Sequence, residues 1–238
     1  MGKSLALVIL PGLDGTGNLL SDFVSDFGGD TSVVVIDYPT DTFLTYKDLT
    51  DYVRQRLPND DFVLIGESFS GPLALMIAAA RPPGLKAVVL VASFARLDMP
   101  AKAMLSRAAA TISPRLLPMS ALSFLLLGKW ANSQNVKSLQ TTLEMVRPHV
   151  LSRRAQEALA VDLIAQGLTV DCPVLLLQAR HDRLISRAAV KSVARVCRRL
   201  RVETIDGPHF LLQVSRGACA AAVQAFCDEL VDQNSQHP

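Results

Sequence analysis

Apolar residues fall along this chain in two rhythms that take turns. Continuous apolar runs of strand length stand at Leu5–Leu10, Val33–Asp37, Phe62–Gly66, Ala87–Ala92 and Val174–Leu177, and Arg201–Ile205 alternates in the manner of a strand. Unbroken runs suit strands buried on both faces. Between them, helical spacing predicts helices around Leu19–Phe27, Tyr46–Leu57, Pro72–Ala80, Ala188–Cys197 and Ala218–Leu230. Thr45 and Asp48 suit the start of the second helix as its cap and acidic first turn. This alternation predicts an α/β fold: a mostly parallel sheet of about six strands with helices on both faces.

The rhythm lapses between Ser93 and Thr169. Residues 99–167 carry helical patterns broken by Ser113-Pro114, Leu117-Pro118 and Arg147-Pro148, with no convincing strand. We read them as a helical cap inserted into a core made of 1–98 and 168–231, with 232–238 a polar, flexible tail. Met104, Met119, Leu122, Phe124, Leu125, Leu126, Leu127, Trp130 and Met145 make the cap more apolar than a solvated lid needs. They are expected to form the cap's own small core, with some facing the site beneath. His149 reads as a surface residue.

Candidate chemistry gathers past the predicted carboxyl ends of the strands, where parallel sheets place their sites. Glu67-Ser68-Phe69-Ser70-Gly71 follows Phe62–Gly66 and opens a helical pattern. A turn that sharp lifts a serine hydroxyl clear of the sheet and needs small residues two before and two after it. Gly66 and Ser70 are small, although Ser70 stands where a strict motif has a second glycine. The bland alternative is an ordinary strand–helix turn. Asp182 follows the Val174–Leu177 run, where an aspartate also serves as turn former or helix cap. His209 is presented by the break Asp206-Gly207-Pro208 and anchored by Phe210, Leu211 and Leu212.

Each residue type has a chemical reason to be there. A serine is a poor nucleophile until a base takes its proton. His209 is the expected base and acid for Ser68, and Asp182 the group that orients the ring. Asp98, farther past its own strand, is the second candidate for the acid. Such a serine also needs donors for the developing oxyanion. The glycine-rich turn Pro11–Gly17 follows the first strand, and the N–H groups of Leu13 and Phe69 are the expected pair. A phosphate-binding loop is the competing reading of that turn, but no Gly-Lys-Ser/Thr ending is present, and Gly12, Gly15 and Gly17 miss the dinucleotide spacing.

With these motifs in hand, the chain resembles the α/β-hydrolase superfamily. The likeness is carried by Leu-Pro-Gly-Leu-Asp-Gly-Thr-Gly at 10–17, Gly-Glu-Ser-Phe-Ser-Gly at 66–71, His-Asp-Arg at 181–183 and Gly-Pro-His at 207–209. The compact size and single insertion are similar to the small bacterial carboxylesterase and thioesterase branches. The resemblance implies the chain order Ser68, Asp182, His209 for a triad and an acyl-enzyme mechanism without a cofactor. It leaves the substrate open. The first predicted strand matches the family's third, so the family's first two strands are expected to be absent.

Composition narrows the remaining classes. The chain has 238 residues, half of them hydrophobic, enough for one domain with a sizeable core. A formal charge of +2 makes no electrostatic case for nucleic acid. Arg195, Arg198, Arg199 and Arg201 read as a solvated helix end. Cys172, Cys197, Cys219 and Cys227 show no metal-site spacing with the four histidines, so no metal is expected and free buried thiols are. No apolar stretch reaches transmembrane length and Leu125–Leu127 is too short to anchor, so stable membrane insertion is not expected. The N-terminal stretch has no small-residue cleavage site, and a cytoplasmic enzyme is the expectation. Its partner would be a small-molecule ester. A thioesterase or acyltransferase using the same triad, or a non-catalytic binding module, are the alternatives. The oligomeric state is not encoded legibly.

Overall fold

The computed structural model describes residues 5–29, 31–97 and 113–235. Its strands are β1 (Ala6–Leu10), β2 (Val33–Val35), β3 (Phe62–Glu67), β4 (Leu85–Val91), β5 (Val170–Ala179) and β6 (Cys197–Ile205). They form one sheet in the order β2-β1-β3-β4-β5-β6, and every pairing is parallel. Alternate side chains enter two separate cores, as the period of two requires. Val8, Leu10, Leu64, Val88 and Leu176 point to one face. Leu7, Ile9, Val63, Ile65, Val89 and Leu177 point to the other.

Helices cover both faces. α1 (Ser21–Ser25), α8 (Leu211–Val214) and α9 (Arg216–Ser235) lie on the second. The first is covered by α2 (Tyr46–Arg54), α3 (Ser70–Ala79) and α7 (Ala188–Ala194). Thr45 caps α2 in a reciprocal box, with each of Thr45 and Asp48 bonding the other's backbone N–H. α3 tolerates Pro72 because the first turn of a helix has no acceptor for that N–H anyway.

Between β4 and β5, the described part of the insertion is helical: α4 (Met119–Leu126), α5 (Ser133–Glu144) and α6 (Pro148–Ala160). Leu122, Leu139, Leu143, Val146, Val150 and Leu151 make a third core of their own, with Leu13, Phe43 and Phe210 packed against it. Phe124 and Met145, by contrast, are exposed. Asp98 and Met104 lie outside the described residues. Among the described residues, no helix is long and apolar enough to cross a membrane.

Three local expectations need correction. The helix begun at Ala188 stops at Ala194, and Cys197 opens β6 instead, held by pairing with Val170. Arg198, Arg199 and Arg201 therefore stand on an edge strand rather than a helix end. There Arg198 pairs with Asp171, and Arg201 with Glu203 and Glu229. Charged side chains on an edge discourage pairing with another sheet. Lastly, α9 runs on to Ser235, past Leu230, because no glycine or proline interrupts the chain after Gly217 until Pro238.

The topology reverses direction between β1 and β3, since the chain lays β2 to one side of β1 and β3 to the other. Ligand sites in open α/β sheets form beyond the strand ends at such a switch. Leu10 is level with Gly66 in the ladder, so the turns that leave β1 and β3 start side by side. For the helix that packs behind this point, Thr45→Ala should cost ~1 kcal/mol by removing the α2 cap. Urea unfolding would show this as a lower midpoint at unchanged slope.

Candidate active site

Ser68 leaves β3 with φ 48°, in the left-handed region that non-glycine residues occupy at a cost of ~1–3 kcal/mol. Its N–H donates to the Val91 carbonyl at 2.8 Å, and its own carbonyl accepts from Ser93 Oγ at 2.6 Å. Gly66 allows α3 to fold back this closely: a Cβ there would meet the Ser70 carbonyl oxygen at 2.7 Å and Ala74 Cβ at 2.9 Å. Strand pairing and the small residue together hold the strained turn.

His209 and Asp182 reach the same place from the turns after β6 and β5. Ser68 Oγ lies 2.8 Å from His209 Nε2, and His209 Nδ1 lies 2.9 Å from Asp182 Oδ2. The side chains of His209 and Asp182 are only 3% and 5% exposed. The other carboxylate oxygen, Asp182 Oδ1, accepts from the N–H groups of Leu184 and Ile185 at 2.8 and 2.7 Å. A carboxylate fixed in that way selects the tautomer with hydrogen on Nδ1, which leaves Nε2 to accept from the serine. The Phe210 N–H donates to the Leu126 carbonyl at 3.0 Å, tying the histidine's segment to α4.

Ser68 and His209 open into a cavity of about 430 Å³. Leu13 and Phe69 line it, and among the described residues no backbone carbonyl takes up either N–H. Leu122, Leu125, Leu126, Leu139, Leu143 and Leu159 supply much of the remaining wall. The four cysteines are free, and burial pushes the thiols of Cys197 and Cys219 up to about 12. Among the described residues, no group of three His, Cys, Asp or Glu side chains could hold a metal ion.

The family model described as serine aminopeptidase, S33, matches residues 36–211, most of the chain and both the elbow and the histidine turn. The chain belongs to this family of α/β hydrolases. Solved structures agree on the fold. The lipase-esterase related protein from Clostridium acetobutylicum ATCC 824 superposes with a TM-score of 0.79 at 19% identity, over 95% of this chain and 96% of the other. A thermophilic esterase from Thermogutta terrifontis gives 0.77 at 16%, over 97% and 92%. The enol-lactonase from Burkholderia xenovorans LB400 gives 0.77 at 18%, over 94% and 92%. A search of curated proteins by sequence finds no match.

In this α/β hydrolase, several groups around the Pro11–Asp14 turn were not assigned from sequence. Ser70 is more than a small spacer: its hydroxyl donates to the Pro11 carbonyl and lies 2.6 Å from the Tyr38 hydroxyl. The departure from glycine in the motif was the signal. Tyr46 donates to the Phe69 carbonyl at 2.7 Å and stacks on its ring. Arg154 of α6 is buried and reaches the turn's carbonyls. Its position on the apolar face of α6, between Leu151 and Ala158, was the readable anomaly.

Glu67, immediately before the serine, is 7% exposed and lines the same cavity. Gln213 donates to it at 2.9 Å, and the Gly12 N–H bonds it from the turn. Burial pushes its carboxyl up to about 7, against the opposing pull of Gln213. The folded state therefore binds this proton more tightly than the unfolded chain does. Stability from the group is full below the unfolded value near 4.5 and is lost as pH rises towards and through about 7. Relative to Glu67→Gln, the wild type should lose up to ~3 kcal/mol between pH 4.5 and pH 8. Denaturant titrations at several pH values test this; a difference that stays flat would contradict it.

Proposed function

We propose that this protein is a serine hydrolase that cleaves carboxylic esters with an apolar acyl part through an acyl-enzyme. The observation that carries the reading is the unbroken line Ser68–His209–Asp182, with hydrogen-bond distances of 2.8 and 2.9 Å, set in the wall of a leucine-lined cavity. Ser68 Oγ attacks the acyl carbon while His209 Nε2 takes its proton. The carbonyl electron pair moves onto oxygen, facing the N–H groups of Leu13 and Phe69 and the positive end of α3. Asp182 stabilises the imidazolium that forms. His209 then gives its proton to the departing alcohol as the C–O bond breaks, which leaves the acyl group on Ser68. Water repeats the sequence: it loses a proton to His209, attacks the acyl carbon, and Ser68 leaves with that proton.

The apolar wall supports the substrate class. A charged acyl chain would lose its hydration among leucines with nothing to replace it, whereas a hydrocarbon chain gains ~25 cal/mol for each Å² removed from water. The likeness in fold to a thermophilic esterase from Thermogutta terrifontis and to a lipase-esterase related protein from Clostridium acetobutylicum points in the same direction. An acyl thioester presents the same carbon to Ser68, and an acyl acceptor other than water would turn the second half of the cycle into transfer.

The test is a series of p-nitrophenyl esters from acetate to dodecanoate, run beside acyl thioesters of matched length. We expect kcat/KM to rise with acyl length beyond acetate. Ser68→Ala should lower kcat by ~10⁴-fold or more with the fold intact. Activity retained in Ser68→Ala, or no dependence on acyl length, would contradict the proposal.

A further inference from the structure

The oxyanion turn is held by groups from three parts of the molecule. Ser70 of α3 donates to the Pro11 carbonyl, and Glu67 of β3 takes the Gly12 N–H. The third tether comes from the insertion. Arg154 Nη1 donates to the carbonyls of Leu13 and Asp14 at 3.0 and 2.6 Å, and Nη2 to the Pro39 carbonyl at 2.8 Å. Its residue is 1% exposed.

A guanidinium buried this deeply costs several kcal/mol in lost hydration, and an apolar side chain of similar volume would fill the space at less cost. What an apolar residue cannot do is hold two successive carbonyls. The peptide planes fixed by those carbonyls flank Asp14. The plane before them carries the Leu13 N–H, and its Gly12 carbonyl accepts from the Gly15 N–H at 3.1 Å, so gripping the two carbonyls from outside limits how the cavity-facing turn can present that donor. Gly15 is shaped around the same contact: it has φ 73°, and a Cβ there would meet Arg154 Nη1 at 2.5 Å. α6 itself forms part of the cavity wall through Ala155, the residue next to Arg154, and through Ala158 and Leu159, one turn further on.

We propose that Arg154 is a positioning residue for the reaction: it aligns the Leu13 N–H with the developing oxyanion and ties that alignment to the seating of α6. The proposal rests on the serine hydrolase reading above. It separates Arg154 from a residue that merely packs the insertion. Misalignment of an oxyanion donor lowers the chemical step for every acyl chain, because all share one oxyanion. Looser packing of α6 would instead weaken the binding of long chains.

Arg154→Met is the test, with acetate and octanoate esters as substrates. A trifluoromethyl ketone serves as probe of the oxyanion: Ser68 Oγ bonds to its carbonyl carbon, the electron pair moves to oxygen, and the serine proton passes to His209. We expect kcat to fall ~30–100-fold for both esters, since one oxyanion donor is worth ~10²–10³ in kcat and here it is displaced rather than deleted. KM should stay within about threefold, and ketone affinity should fall by the same factor as kcat/KM. Arg154→Lys, which keeps the charge and a donor for the turn's carbonyls but lacks the second nitrogen that reaches Pro39, should recover part of the lost rate. It carries the same comparison if Arg154→Met does not fold. A loss confined to the KM of octanoate, or wild-type kcat and ketone affinity in a folded variant, would overturn the proposal while leaving the serine reading in place. If the wild type neither binds the ketone nor depends on Ser68 for turnover, the serine reading fails and the proposal with it.

Discussion

Everything at this site is measured from a serine whose backbone sits in the left-handed region, a conformation it would abandon if its surroundings allowed. They do not. β3 lies at the centre of six parallel strands, paired with β1 on one side and β4 on the other, and the pairing continues up to the Ser68 N–H. Gly66 lets α3 return against β3 without a clash. The strained turn is therefore stabilised by elements of fixed register, because a slip by one residue would exchange the side chains of β3 between the two cores and undo the packing of both. His209 and Asp182, arriving on turns from neighbouring strands, find the hydroxyl in a fixed place.

The same logic extends to the turn after β1. Its backbone is gripped by a hydroxyl, a carboxyl and a guanidinium, each supplied by a different element. Two of those groups, Glu67 and Arg154, are ionisable and buried, and each is unfavourable on stability grounds alone. Natural proteins keep such costs where geometry has to be held against relaxation. The insertion is thereby more than a cover over the cavity. It forms its own core, supplies much of the apolar wall, and through Arg154 grips the backbone of the turn after β1.

Much of this was legible in the sequence, for physical reasons that can be named. Continuous apolar runs report strands buried on both faces, so the parallel α/β fold followed from Leu5–Leu10, Phe62–Gly66 and Val174–Leu177. Strand ends next to Gly66 and Asp206-Gly207-Pro208 marked where Ser68 and His209 would stand. The boundary at Cys197 was not legible, because its pairing partner Val170 lies 27 positions away and local spacing fits a helix equally well. Nor were the tethers of the turn. Arg154 and Leu13 are 141 residues apart, and no local rule links an arginine on an insertion helix to a glycine-rich turn at the other end of the chain. Ser70 and Arg154 were visible only as small breaches of pattern, a serine for a glycine and a charge on an apolar face.

The central claim is that Ser68 is an activated nucleophile. The most direct measurement is reaction of the folded protein with a fluorophosphonate, with the modified residue located by peptide mass spectrometry. The account predicts one label per chain, on Ser68, and loss of labelling when His209 is replaced by alanine. Folded protein that takes up no label, or takes it on a different residue, would contradict it.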